Sequence, residues 1–176
     1  MSDNARFLDA FPTWLKTLGE DVSLLAGVLA DDGESEAVRR LGAGAANYLF
    51  KSLDLIPDGI EDLGYLDDAF VMRVSAALAS AAGSSSTHVA KLAQEAVLVR
   101  EFLGVDYARL EKYVQNLGKG AARGRTVDEI LTKPEVRSAF LSEVSGWSSS
   151  YEAPSFSRDD KTLAKMKRFL DERLPR

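Results

Sequence analysis

Apolar residues in this chain recur at spacings of three and four, and that period restricts it to helices. Phe7, Leu8, Phe11, Trp14, Leu15 and Leu18 form one stripe, and Leu24, Leu25, Val28 and Leu29 the next. Val38, Leu41, Ala45, Leu49 and Leu53 make a third; Val89, Leu92, Ala96, Val99 and Leu103 make another, at spacings of 3, 4, 3 and 4. Such spacing stacks side chains on one helical face, whereas a half-buried strand alternates at every second residue. No alternating run competes within the 176 residues. The predicted fold class is all-α, a compact helical domain of seven to nine helices. Its centre is predicted to be an antiparallel pair, about residues 36–53 and 65–82, joined by an acidic Pro/Gly turn.

Glycine, proline and serine set the predicted boundaries. Gly19 is expected to end or bend the first helix, and Pro57 to open a short one that Gly64 closes. Gly104 reads as a helix C-cap. Lys119 to Arg125 reads as a basic, glycine-containing linker; its Lys119, Arg123 and Arg125 either hold an anion or are simply solvated. Thr126 and Glu129 fit a capping box, and Pro134 restarts a helix. Gly146, Pro154 and a run of serines mark 145–157 as a flexible loop between a helical domain at 1–144 and a terminal amphipathic helix at 158–176. That helix carries Leu163, Met166, Phe169, Leu170 and Leu174, and is expected to pack on the same domain.

Composition then removes function classes. There is no cysteine, which excludes disulfides, thiolate nucleophiles and zinc–thiolate or iron–sulfur sites. The single histidine, His88, excludes an all-histidine metal site within one chain and reads as a solvent-facing or locally hydrogen-bonded helix-start residue. Ser84–Ser86 form no nucleophile elbow, and no phosphate-binding loop or dinucleotide fingerprint is present. A net charge of −5 argues against nucleic acid as a partner. The charge is uneven: residues 1–72 carry 14 acidic and 5 basic side chains, residues 73–176 carry 13 and 17. No uncharged apolar run reaches membrane-spanning length; Arg73 interrupts the nearest, Ala69 to Gly83. The expected compartment is the cytoplasm, with peripheral membrane attachment left open.

One segment stands apart in composition. Tyr48-Leu49-Phe50-Lys51-Ser52-Leu53-Asp54-Leu55-Ile56-Pro57-Asp58-Gly59-Ile60-Glu61-Asp62-Leu63-Gly64-Tyr65-Leu66-Asp67-Asp68 interleaves acids, bulky aliphatics and punctuation residues. It resembles the core of the YkvA-like family, a bacterial domain of unknown function, in its Asp-Leu-Ile-Pro-Asp and Gly-Tyr-Leu-Asp-Asp runs. The resemblance covers about residues 36–80 and is strongest over 48–72. It implies a helix–turn–helix core and no particular reaction. Ser52 and Glu61 stand where the family commonly has proline.

Asp54, Asp58, Asp67 and Asp68 are the candidate site residues. As hard oxygen ligands they suit magnesium, calcium or manganese, if the hairpin folds back and brings them together. Paired carboxylates also serve acid–base chemistry when one is buried. The alternative is structural: Asp58, Asp67 and Asp68 at helix starts, where unpaired N–H groups attract carboxylates, and Asp54 accepting backbone bonds across the turn.

Three functions follow as expectations. The first is a non-enzymatic scaffold or protein-interaction module, with a protein partner or self-association. Residues 145–157, Trp147, the terminal helix and the small-residue face Gly42–Ala46 are its contact candidates. The second is a peripheral factor at an anionic membrane, held by Lys161, Lys165, Lys167, Arg168 and Arg173 of the terminal helix. The third is a divalent-cation-binding protein or cation-dependent enzyme built on the four aspartates.

Overall fold

The computed structural model describes residues 3–51, 54–60 and 62–176. Among them are eight helices: α1 (Ala5–Leu29), α2 (Glu36–Tyr48), α3 (Leu66–Ala81), α4 (Thr87–Leu103), α5 (Tyr107–Leu117), α6 (Val127–Thr132), α7 (Pro134–Ser150) and α8 (Asp160–Arg173). A short 3-10 turn, Gly104–Asp106, joins α4 to α5. The one departure from all-α among the described residues is an antiparallel hairpin of β1 (Ala121–Ala122) and β2 (Arg125–Thr126).

The core is built around α3. Every residue from Leu66 to Ala76 is buried, as expected of a helix enclosed on all sides. The Ser75 hydroxyl donates to the Leu41 carbonyl at 2.8 Å, and the Tyr48 hydroxyl donates to Asp67 at 2.5 Å. Positions ascending α2 thus meet positions descending α3, and the central pair is antiparallel. On the α1 side, Phe11 stands edge-on to both Phe70 and Phe102, each 5.1 Å away, and Trp14 packs beside them. Such aromatic pairs add about 0.5–1.5 kcal/mol beyond the area they bury.

Several boundaries differ from the sequence expectations, each for a local reason. α1 runs unbroken through Gly19, which serves a close approach: a Cβ there would lie 3.3 Å from the Ser148 carbonyl oxygen of α7. The Ser148 hydroxyl donates back to the Gly19 carbonyl at 2.7 Å. α2 stops at Tyr48 and tightens into i,i−3 bonds, Leu49 N–H to Ala46 and Phe50 N–H to Asn47. Leu53, Ser52 and Glu61 lie outside the described residues, so the expected helix end and both departures from the family pattern do as well. Pro57 opens turns rather than a helix, with Ile60 N–H donating to Pro57 and Gly64 N–H to Ile60.

Residues 145–150 of the expected flexible loop belong to α7. Their serines bond back into the helix, Ser149 to the Ser145 carbonyl and Ser150 to Gly146. The chain leaves helix at Tyr151, whose hydroxyl donates to Leu15 at 2.7 Å. The expected basic linker is the hairpin. Gly42 to Ala46 are all buried inside the chain; a Cβ on Gly42 would meet the Leu25 carbonyl oxygen at 3.0 Å, and one on Gly44 the Gly118 nitrogen at 3.1 Å. That face is occupied by α1 and the end of α5, so it is not free to pair with a second copy.

α8 is capped by Asp159, whose carboxylate accepts from Lys161 and Thr162 N–H. Its Leu163, Met166 and Leu170 are buried, as is Leu174 beyond it. Arg109 of α5 donates to the carbonyls of Asp171 and Leu174 at 2.9 and 2.6 Å. The apolar face proposed for a membrane surface is therefore already covered. Among the described residues, no helix is long and apolar enough to cross a membrane.

Candidate metal centre

Two helix ends and one loop make the site. α2 delivers Tyr48 at its last turn, and α3 delivers Asp67 and Asp68 in its first. The loop between them carries Asp54 and Asp58. Gly64 fixes how closely this loop folds over the start of α3: a Cβ there would lie 2.2 Å from the Asp58 carbonyl oxygen, so only glycine fits. Asp62 and Tyr65 take left-handed backbone, φ 67° and 68°, in the same reversal.

Asp67 is anchored. Its Oδ2 accepts the Tyr48 hydroxyl and the Ile56 N–H, the latter at 3.2 Å. The Tyr48 oxygen accepts the Leu55 N–H at 2.8 Å, so one phenol ties the loop to both helices. Burial and the adjoining Asp67 push the Tyr48 hydroxyl far above its ordinary range, which keeps it a donor.

One carboxylate oxygen from each of Asp58, Asp67 and Asp68 lies within 4.8 Å of the others. Asp67 and Asp68 are 0% and 1% exposed, while Asp58 is exposed at the rim. Asp67 Oδ1, Asp68 Oδ2 and Asp54 Oδ1 are buried and accept no hydrogen bond among the described residues. The structure therefore converges three of the four predicted acids. Asp54, half-buried, stands beside the triad: its charge acts on Asp68, but it does not join the set of oxygens within ligand distance.

Like charges in a dry place raise one another's proton affinity. Burial pushes Asp67 up to about 6, against the pull of the Tyr48 and Ile56 hydrogen bonds. Burial, then the charges of Asp67 and Asp58, push Asp54 up to about 7. Asp68 is raised well above the usual carboxylate range by burial and by Asp67, and Asp58 is raised by burial. Two remedies exist for such a cluster: a shared proton, or a cation. Opposite oxygens around an ion are about 4.2 Å apart for magnesium and about 4.6–5.2 Å for calcium, so the observed spread suits a hard cation.

Other predicted residues fall elsewhere. His88 Nε2 of α4 lies 3.6 Å from Asp21 of α1, away from the acid cluster. Trp14 is buried, and Trp147 is half-buried against Tyr151 and Tyr65. Tyr48 is the residue whose role sequence reasoning missed. Its signal is position: a tyrosine at the end of α2, just before the acidic loop, whose enclosed phenol needs a polar partner.

Residues 38–73 match the model of a family described as proteins of unknown function, DUF1232. This is the YkvA-like domain that the motif resembles, and the matched segment spans most of α2, the loop and the first half of α3. The family description indicates no specific activity. No curated protein and no solved structure matches the chain.

Proposed function

We propose that this helical domain binds a hard divalent cation, calcium, magnesium or manganese, through Asp58, Asp67 and Asp68. One observation supports the reading above the rest. Asp67 Oδ1 and Asp68 Oδ2 are buried without a hydrogen-bond donor among the described residues, in the same place where three carboxylates converge. An unsatisfied buried acceptor costs about 1–3 kcal/mol, and more when charged. A bound cation offsets that cost, neutralises the repulsion and ties the 54–65 loop to α3.

Calorimetric titration with each cation, paired with thermal unfolding, tests this. Binding heat is expected, and a ligand at 100 times its Kd should add about 2.7 kcal/mol of stability. Asp67→Asn should abolish both effects, and Asp58→Asn should weaken them more than Asp54→Asn does. No heat and no thermal shift with any of the three cations would sink the proposal.

The scaffold reading rests on the poor catalytic inventory, the uneven charge of the two halves of the chain and the abundance of helix-packing faces. Among the described residues, the large apolar side chains left exposed are Leu24, Val97 and Val105, scattered over different elements. They mark no single docking face, and the acid cluster is the stronger functional observation.

A further inference from the structure

The proposed cation site opens onto a groove whose other wall is basic. The groove has a volume of about 640 Å³, with Asp58 on one side and Phe50, Lys51 and the hairpin residues Ala121 to Gly124 around it. Asp58 therefore belongs both to the triad and to the groove.

The hairpin is built to leave room and to present charge. Ala121, Ala122 and Gly124 keep the wall low. Arg123 and Gly124 form the tight two-residue turn, both with left-handed backbone, φ 50° and 76°. Arginine is an uncommon choice for the first of these positions, where asparagine, aspartate or glycine is usual. Its guanidinium lies 4.9 Å over the Phe50 ring, at the groove. Glu143 pairs with both Arg123 and Arg125. One carboxylate against two guanidiniums leaves a positive charge over, and one terminal nitrogen of Arg125 is buried without a hydrogen-bond partner among the described residues. Lys51, close enough for its charge to act on Asp54, adds a second positive charge.

We propose that this groove binds a phosphate-bearing small molecule, with one phosphate oxygen on the cation held by Asp58, Asp67 and Asp68 and the others on Lys51 and Arg123. The inference rests on the cation reading. Two cationic side chains, Lys51 and Arg123, line the space; with the proposed cation they make three positive groups, and a phosphomonoester presents three terminal oxygens where a carboxylate presents two. Arginine forks match phosphate geometry, and magnesium-type sites commonly combine one or two carboxylates with a ligand phosphate. The four aspartates next to the groove would repel an anion when no cation is bound. Cation and phosphate must therefore bind cooperatively.

Titration calorimetry on the full chain with inorganic phosphate and with glycerol 3-phosphate, each in saturating manganese and in chelator, tests the linkage. Phosphate affinity should rise at least about tenfold with manganese, a coupling of about 1.4 kcal/mol. The double variant Lys51→Ala/Arg123→Ala should lose most of that affinity while binding manganese as the parent does. Inorganic phosphate binding at least as tightly as the ester identifies the free anion as the ligand; tighter binding of the ester identifies a phosphorylated metabolite-sized molecule. Manganese binding without any gain in phosphate affinity, or a gain that the double variant keeps, overturns the groove proposal and leaves the cation site standing. Failure of manganese, magnesium and calcium alike to bind overturns both.

Discussion

The start and the middle of α3 each bury charge, and they do so in opposite ways. In the middle, the Arg73 guanidinium is 1% exposed and meets Glu95 at 2.8 Å and Asp21 at 3.3 Å. It donates to the Ala69 carbonyl and lies 4.2 Å over the Trp14 ring. Asp21 also accepts the Thr17 hydroxyl at 2.9 Å. At the start, Asp67 and Asp68 are buried as deeply, but the charges acting on them are those of other carboxylates. A centre with both signs finds its counter-charges within the chain and joins α1, α3 and α4, even though Arg73 Nε and Glu95 Oε2 are buried without a hydrogen-bond partner among the described residues. A centre of one sign is complete only when a proton or an ion arrives from outside. Burial alone does not separate a structural charge from a functional one; the sign of the neighbours does.

The comparison breaks first at Arg73. Arg73→Ala leaves Asp21 buried without its counter-charge and should destabilise the protein by about 3–5 kcal/mol in urea unfolding, with or without a cation. Loss of less than 1 kcal/mol would mean that the centre is not the closed structural unit described. Asp68→Asn should act in the reverse direction. In chelator it removes a repelled charge and should raise stability by about 1–3 kcal/mol, while erasing the cation-dependent increment. Destabilisation in chelator would make Asp68 a structural acceptor instead.

The comparison is sharpened further by the shape of the pH curve. The folded-state values of Asp54 and Asp67, about 7 and about 6, lie above the ordinary unfolded value of about 3.9. Folding then favours the protonated acids, so their contribution is full below about pH 4 and is lost as pH rises through 6 to 7. Chelated protein should therefore become less stable across that interval, and saturating calcium should remove or reverse the slope. A stability curve that rises over the same range in chelator would contradict the like-charge description of the cluster.

Most of the helices could be read from apolar spacing, because a stripe of Phe7, Phe11, Trp14 and Leu18 has no other low-energy use. The acids were also legible as a group, since Pro57 and Gly64 announce a chain reversal between Asp54 and Asp68. What sequence did not disclose depends on contacts between distant residues. Gly19 looks like a helix breaker until Ser148 packs on it, 129 residues away. The serines after Gly146 look like a loop until they bond back to their own helix. Tyr48 is only the first residue of the motif until its hydroxyl meets Asp67. Arg123 and Arg125 read as a basic linker, anion-holding or solvated, because nothing local places them over Phe50. Asp54 was grouped with its three neighbours because spacing along the chain does not say which oxygens converge.

The position of Trp147 has an optical consequence. Its indole stacks on Tyr151 at 4.9 Å and lies 6.1 Å from Tyr65, the residue that precedes α3. The other indole, Trp14, is enclosed beneath Arg73 in the mixed-charge centre. In a Trp14→Phe protein all tryptophan emission would come from beside the loop that a cation would tighten. Occupancy could then be followed by the colour and lifetime of a native fluorophore, with no added label.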